Sequence, residues 1–312
     1  MTLNKIPRIA VIGSNMVDLV TYVHRMPVRG ETVEAPSFEM GHGGKGANQA
    51  VAAAKLGASV IIVTKVGDDM FADNTVRNLA SFGVDTKYVA RVAGRSSGVA
   101  PIMVEPSGEN SILIVKGANA DLSPGDIELA SEDLKGCDLI LLQLEIPLET
   151  VYAAIDFGKR HGVKVLLNPA PATPELDIEK VKHVSFLVPN ETELAILTGM
   201  PVGTEAEIGA AAESLIARGV GTVIVTMGAR GALLRTAGRS HVIPAPRVAP
   251  LDTTGAGDGF VGSFARYYGA GLGLEDAIAH AVRYAADSVT RRGTQKAYAT
   301  EAQFAAFCAD GT

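Results

Sequence analysis

The segment LDTTGAGDGFVGSF, Leu251 to Phe264, places an acid directly behind a glycine-rich turn. Gly255-Ala256-Gly257 opens a helix, so free backbone N–H groups and the positive end of the helix dipole converge on one spot. Such a spot can hold a developing phosphoryl charge without a lysine. Asp258 follows in the first turn, where its carboxylate would lie beside a bound anion. Capping alone also favours an acid at a helix start, so this segment gains weight from its companions. Gly43 to Gly46, and TMGARG at Thr226 to Gly231, are two more places where backbone can approach a ligand closely. Three such loops suit phosphoryl transfer from a nucleotide to an alcohol, with one loop each for acceptor, donor and transferring group.

Other motifs point elsewhere and fail on context. GHGGKG, Gly41 to Gly46, is a literal G-x-G-x-x-G with Asp68 farther on, as in a dinucleotide-binding dehydrogenase. The preceding ETVEAPSFEM carries Glu31, Glu34, Glu39 and a proline, unlike the buried first strand of that unit. The better first strand, Arg8 to Gly13, lacks the glycine pattern. GHGGKG also fails as a Walker A loop, because Lys45 precedes Gly46 instead of Ser or Thr. GRSSG, Gly94 to Gly98, matches G-x-S-x-G, but Val99 to Ile102 continue as extended chain where a nucleophile elbow needs a helix, so Ser96 is not a hydrolase nucleophile. The six histidines, His24, His42, His161, His183, His241 and His280, show no metal-ligand spacing.

Composition narrows the class further. Hydrophobic residues make up 47% and charged ones 20% of 312 residues, which is ordinary for a globular protein. The formal net charge of −6 argues against a nucleic-acid binder, whose affinity needs a basic face. Cys137 and Cys308 alone cannot build a disulfide framework, and MTLNKIPRIAVIG runs into a strand without signal-peptide regions, so a soluble, cytoplasmic protein is expected. No apolar run approaches the roughly 20 residues that span a bilayer.

The elements that must position these loops read as a doubly wound α/β fold. Apolar runs RIAVIG, SVIIVTKVG, LILLQL, VKVLLN, SFLVP and TVIVTM alternate with helical patterns, the signature of a parallel sheet covered on both faces. Helices are expected over Ala47 to Leu56, Leu148 to His161, Glu191 to Leu197, Glu205 to Arg218, Gly255 to Tyr268 and Glu275 to Thr290. Leu19 to Met40 and Gly98 to Val115 break the rhythm and look antiparallel. They are expected to pair as a small β-sheet that projects from the single α/β domain, residues 1–312, and could cover a site; an edge hairpin without a gating role is the alternative.

Two signatures carry a family resemblance. GGKGANQAVAAAKLG and DTTGAGDGFVG resemble the paired motifs of the ribokinase (PfkB-type) sugar kinases, with LLLQLEIPLETV, LLNPAPA and VPNETELAILTG in the same order between them. The resemblance implies a doubly wound, mainly parallel sheet with a β-sheet lid that commonly forms a homodimer interface. It implies that Asp258 is the general base toward a primary hydroxyl and that Gly255, Ala256 and Gly257 form the anion hole. Asp18, Gly44, Lys45, Asn48 and Glu145 would line the sugar site, although Glu145 could equally be a solvated strand-end acid. Asn190 and Glu193 would serve the Mg²⁺ and phosphate region, Glu193 through a water, although Asn190 could equally be a helix cap. Thr226, Gly228 and Gly231 would approach ATP. Asp252, Thr254, Ser288, Arg291 and Gly293 would form the loop for K⁺ or a similar monovalent cation, largely through backbone oxygens. The chain departs from the family at Val282, where a histidine often stands near the adenine, and at Ala297, a polar cation-loop position.

GSNMVD adds a sharper feature. Met16 stands where ribokinases usually place an asparagine close to the sugar; a gap-filling Met is the bland alternative. Loss of that amide removes a partner for a ribose hydroxyl but costs nothing against a sugar that lacks it. GSNMVDL and VTMG resemble the branch of the family that phosphorylates 2-deoxyribose. The implied reaction is transfer of the γ-phosphoryl of ATP to the 5-hydroxyl of 2-deoxy-D-ribose or D-ribose, with another sugar or nucleoside as acceptor, or a non-catalytic sugar sensor, as rivals.

Overall fold

Short β-branched runs with no polar face must be covered on both sides, and that burial dictates the architecture. The computed structural model describes residues 5–107 and 109–309. Its strands are β1 (Arg8–Ile12), β2 (Met16–Tyr22), β3 (Ser37–Gly43), β4 (Ser59–Val66), β5 (Asp85–Arg91), β6 (Val99–Val104), β7 (Asn110–Ile112), β8 (Leu139–Leu142), β9 (Lys164–Leu167), β10 (Phe186–Leu187), β11 (Thr222–Thr226), β12 (Ala232–Thr236) and β13 (Arg239–Ile243). The helices are α1 (Lys45–Lys55), α2 (Met70–Ser81), α3 (Pro124–Leu129), α4 (Ser131–Lys135), α5 (Leu148–His161), α6 (Ile178–Val181), α7 (Glu191–Thr198), α8 (Glu205–Ala217), α9 (Ala256–Gly269), α10 (Leu274–Ser288) and α11 (Glu301–Ala309).

The large sheet has the order β13-β12-β11-β10-β9-β8-β1-β4-β5. Every pairing from β5 to β11 is parallel, and β12 and β13 add an antiparallel hairpin at one edge. Strand alternation sorts side chains into two cores. Ala10, Ile12, Ile140 and Leu142 face α3 to α8, while Ile9, Val11, Leu139 and Leu141 face α1, α9 and α10. From β1 the chain builds outward through β4 and β5, then returns to β1's other side as β8. Strand order therefore reverses between β1 and β8, and a crevice opens there beyond the carboxyl ends of the strands.

The smaller sheet has the order β3-β2-β6-β7. Both hairpins, β2–β3 and β6–β7, are antiparallel, but they join along a parallel β2–β6 edge, Val17 opposite Val99 to Tyr22 opposite Val104. The sequence patterns place all the helices they indicate to within a few residues. They do not indicate α2, α3, α4, α6, α11, β5 or the β12–β13 hairpin; α3, α4 and α6 are too short to show a helical period, and β5 (DTKYVAR) and β13 (RSHVI) carry too many polar residues to stand out from loop. No helix among the described residues is long and apolar enough to cross a membrane.

Candidate active site

The crevice at the strand-order reversal collects the chemistry-bearing residues. Ser14 and Asn15 follow β1, Gln143 and Glu145 follow β8, Asn168 follows β9, Asn190 follows β10, and Thr226 ends β11. The start of α9 closes the ring. A cleft of about 190 Å³ lies over Gly255 to Asp258, with Lys45, Asn168, Glu193 and Thr226 also in its wall.

Gly255 is the N-cap of α9 at φ 76, a left-handed conformation that favours glycine. A Cβ there would stand 2.3 Å from Thr294 Cγ2, and the Gly255 carbonyl accepts from Tyr298 Oη at 2.8 Å. The turn is thus locked from behind, and the N–H groups of Gly257 and Asp258, which have no intrahelical acceptor, are directed out of the helix end. Asp258 is 6% exposed, and among the described residues no cationic side chain lies at hydrogen-bonding distance from it. Its Oδ2 accepts from Asn48 Nδ2 at 2.9 Å and its Oδ1 from Gln49 Nε2 at 3.0 Å.

The glycines before α1 have a packing role that the motif alone conceals. A Cβ on Gly44, at φ 86, would stand 2.7 Å from Asn15 Cα and Met16 N, and one on Gly46 would stand 2.7 Å from Ser14 N and O. They seat the N-terminus of α1 on the loop after β1. The strand before α1 is β3 of the smaller sheet, which is why the dinucleotide reading of GHGGKG fails. Asp68 is exposed and pairs with Arg91 at 3.6 Å. Ser96 is exposed ahead of strand β6, so the nucleophile-elbow geometry is absent there.

Glu145 is buried, which removes the solvated alternative. It accepts from Ser14 Oγ and from Lys45 N at 2.9 Å. Burial raises its pKa against those hydrogen bonds and Lys45, with Asp258 adding to the rise. Burial alone would lower the Lys45 ammonium, but Asp258, Glu145 and Glu193 outweigh it and hold it above its ordinary value. Asp18 is raised to about 6, first by burial and then by Glu145 and Asp258. In β2, Met16 and Asp18 lie on one face, opposite Gly43 and Gly41 of β3, and Met16 is buried. A Cβ on Gly43 would stand 2.3 Å from Asp18 Oδ1, so that glycine makes room for the carboxylate.

Asn190 and Glu193 form a reciprocal capping box at the start of α7. Glu193 Oε2 accepts from Asn190 N at 2.8 Å, and burial raises its pKa above the ordinary value. Gly228 and Gly231 have φ 55 and 97; a Cβ on Gly231 would stand 2.0 Å from the Ile243 carbonyl, so packing against the end of β13 accounts for that glycine. In the cation-loop candidates, Asp252 Oδ1 accepts from Thr254 N and Oδ2 from Gly293 N, each at 2.9 Å. The Arg291 side chain pairs with Asp287 and donates to the Ala297 carbonyl at 2.8 Å, and Ser288 Oγ donates to the Ala285 carbonyl at 2.8 Å. Val282 is buried in the α1–α9–α10 core and is not in the wall of the cleft. Gln49 and Asn168 are not among the site residues expected from sequence; Gln49 stands inside GGKGANQ and Asn168 inside LLNP, where a polar residue in apolar surroundings is the available signal. A wider trough of about 640 Å³ between α8 and β12 holds the Arg235–Glu213 ion pair and no comparable convergence.

A model of the pfkB family of carbohydrate kinases matches residues 7–301. The chain is 60% identical over 296 residues to a deoxyribokinase of Salmonella typhi, covering 95% of this chain and 97% of that protein. It is 40% identical over 295 residues to the ribokinase of Mus musculus, covering 93% and 91%. The structure of Arabidopsis thaliana ribokinase complexed with ribose and ATP superposes with a TM-score of 0.90 at 31% identity, covering 97% and 99%. An α/β fold with one large, mainly parallel sheet and a separate small one is the ribokinase-like fold. The chain belongs to the pfkB family of carbohydrate kinases.

The carboxylate cluster yields a stability prediction. Asp18's value in the folded protein lies above its ordinary 3.8, so its protonated form suits the fold. That contribution is fully present below about pH 4 and is lost as pH rises through about 6. Asp18→Asn keeps the side chain neutral and should therefore stabilise the substrate-free protein by up to about 2 kcal/mol above pH 7, after allowance for partial exposure. Urea unfolding of both proteins at pH 4 and pH 8 checks this: the gain should appear only at pH 8, and an equal shift at both pH values contradicts the electrostatic account.

Proposed function

We propose that this chain is an ATP-dependent pentose kinase that transfers the γ-phosphoryl of ATP to the 5-hydroxyl of 2-deoxy-D-ribose or D-ribose. The observation that carries the reading is the Asp258 carboxylate, held by neutral amides beside the Gly255–Gly257 helix start in the crevice at the strand reversal. The hydroxyl oxygen attacks the γ-phosphorus, its proton passes to Asp258, and ADP leaves with the electrons of the broken bond. The gain from Asp258 lies in position and in timely proton acceptance. The N–H groups at the α9 start face the charge that develops on the transferring group, and Lys45 adds a compact positive charge to the same wall.

Mg²⁺ carried on ATP phosphates would neutralise their charge. No three His, Cys, Asp or Glu side chains among the described residues form a metal cage, and an oxygen donor such as Glu193 reaching the ion through water fits a cation that arrives on phosphate. Asn190, Thr226, Gly228 and Gly231 would border the nucleotide. A monovalent cation such as K⁺ would sit on carbonyl oxygens of the Asp252–Thr254 and Ser288–Gly293 segments, whose conformation Asp252 fixes by accepting from Thr254 N and Gly293 N. Asp18, Gly44, Lys45, Asn48 and Glu145 would receive the sugar, with Met16 on the same strand face as Asp18.

The smaller sheet would act as a lid over this site within one folded unit. Its opposite face carries Leu19, Phe38, Met40 and Pro101, and Phe38 and Met40 are exposed. A second copy of the chain would cover that apolar face, giving a homodimer. Small-molecule partners and a net charge of −6 are consistent with a cytoplasmic enzyme that binds neither nucleic acid nor membrane.

Release of ADP from ATP with Mg²⁺ and K⁺, compared as kcat/KM across ribose, 2-deoxyribose, fructose and nucleosides, tests the reading; tight sugar binding without ADP release would make the chain a sensor. Asp258→Asn should lower kcat by about 10²- to 10⁴-fold while calorimetry still detects sugar binding, and normal kcat ends the base assignment. Met16→Asn should raise the ratio of kcat/KM for ribose over 2-deoxyribose about tenfold; an unchanged ratio makes Met16 a core filler. Met40→Glu should convert a dimer into a monomer in sedimentation velocity, and a variant that remains dimeric moves the contact off this face.

A further inference from the structure

Gln49 is fully buried on α1, and every group of its amide is committed. Its Nε2 donates to Asp258 Oδ1 at 3.0 Å and to Asn168 Oδ1 at 3.2 Å, and its Oε1 accepts from Gln143 Nε2 at 2.6 Å. Only one amide orientation satisfies these neighbours. An ionised carboxylate accepts only, and Asn168 presents its oxygen because its Nδ2 donates to the Val188 carbonyl at 2.9 Å. Gln49 must aim its nitrogen at both, so its oxygen faces Gln143, and Gln143 must aim its nitrogen in turn. The far end of this chain bears the consequence: Gln143 Oε1 is buried with no hydrogen-bond partner among the described residues. It lies 2.1 Å from where a Cβ on Gly13 would stand, so only a glycine leaves it room. An orphaned acceptor at the end away from the carboxylate marks a chain whose polarity is set by Asp258.

We propose that Gln49, backed by Gln143, is a positioning residue for Asp258: the directed amide chain fixes the plane of the carboxyl group and leaves a lone pair facing the cleft. On the other oxygen Asn48 does the same, steadied by Gln295, whose Nε2 donates to Asn48 Oδ1 at 3.0 Å. This inference rests on the reading of Asp258 as the base. The charged or titratable groups that sense Asp258 are Asp18 on β2, Lys45 on α1, Glu145 after β8, Glu193 on α7 and Tyr298 after α10, and none changes in the variants below.

Gln49→Met keeps length and volume but removes the donor. Its kcat should fall about 10- to 100-fold while KM for sugar and ATP changes less than about threefold. The loss should lie in the chemical step, so that kcat/KM falls by about the same factor as kcat. Gln143→Met should shift both readouts in the same direction by less, and the double variant should be no worse than Gln49→Met alone, as one coupled chain requires. A kcat and kcat/KM within about twofold of the parent protein in both single variants, alongside inactive Asp258→Asn, overturn the positioning role and leave the base reading standing. Fully active Asp258→Asn removes both. Should Gln49→Met fail to fold, Gln143→Met decides alone: a lower melting temperature with kcat and kcat/KM unchanged makes the chain a structural filler.

Discussion

A carboxylate that is to accept a proton has to be desolvated and oriented without being neutralised. An ion pair at hydrogen-bonding distance would hold Asp258 in place but weaken it as a base, and open water would leave it free to rotate. The protein takes a third course. Neutral amides donate to both oxygens at 2.9 and 3.0 Å, and the nearest positive side chain in the cleft, Lys45, acts across space. Much of the surrounding structure follows from supplying those amides from a helix that must lie very close to α9.

That closeness is built from small residues. A Cβ on Gly262 of α9 would stand 2.7 Å from both the Gln49 carbonyl and Ala52 Cβ, so α1 and α9 touch backbone to backbone at the level of the amides. At its N-terminus α1 is seated by Gly44 and Gly46 against the loop after β1. The strand-order reversal supplies the remaining walls, because β8 ends beside β1 and β9 beside β8, and their ends deliver Gln143, Glu145 and Asn168 to the same crevice. Burial of several carboxylates around one lysine is unfavourable for their charged forms, and the upward shifts at Asp18, Glu145 and Glu193 register that cost. A bound cation or a hydroxyl-rich ligand would relieve it.

What was legible in the sequence depended on whether the signal was local. The Gly255-Ala256-Gly257-Asp258 turn is a local feature, and its helix starts where the pattern places it. The parallel strands were legible because burial on both faces leaves an uninterrupted apolar run, whereas β5 and the β12–β13 hairpin, with polar outward positions, were not. Glycine function was only half legible: Gly43, Gly44, Gly46 and Gly231 stand where backbone or a carboxylate comes close, but the close neighbour in each case is the protein itself. Gln49 carries the local signal of a polar residue in apolar surroundings, but its partners Asn168 and Asp258 lie far away in sequence, and no local pattern names them.

On the proposed function, Met16 would connect substrate choice to the same electrostatics. It shares a strand face with Asp18, and burial is the leading cause of the rise in Asp18's pKa. A thioether offers no dipole to the neighbouring charge, whereas an asparagine at that position would both hydrogen-bond a hydroxyl and help solvate the carboxylate. A thioether in place of an amide would therefore change two things at once: it would withdraw a partner from one sugar hydroxyl and leave Asp18 more dependent on the ligand for its own solvation. The sugar's remaining hydroxyls and the acid proposed to receive them would then be matched through a side chain that forms no hydrogen bond itself.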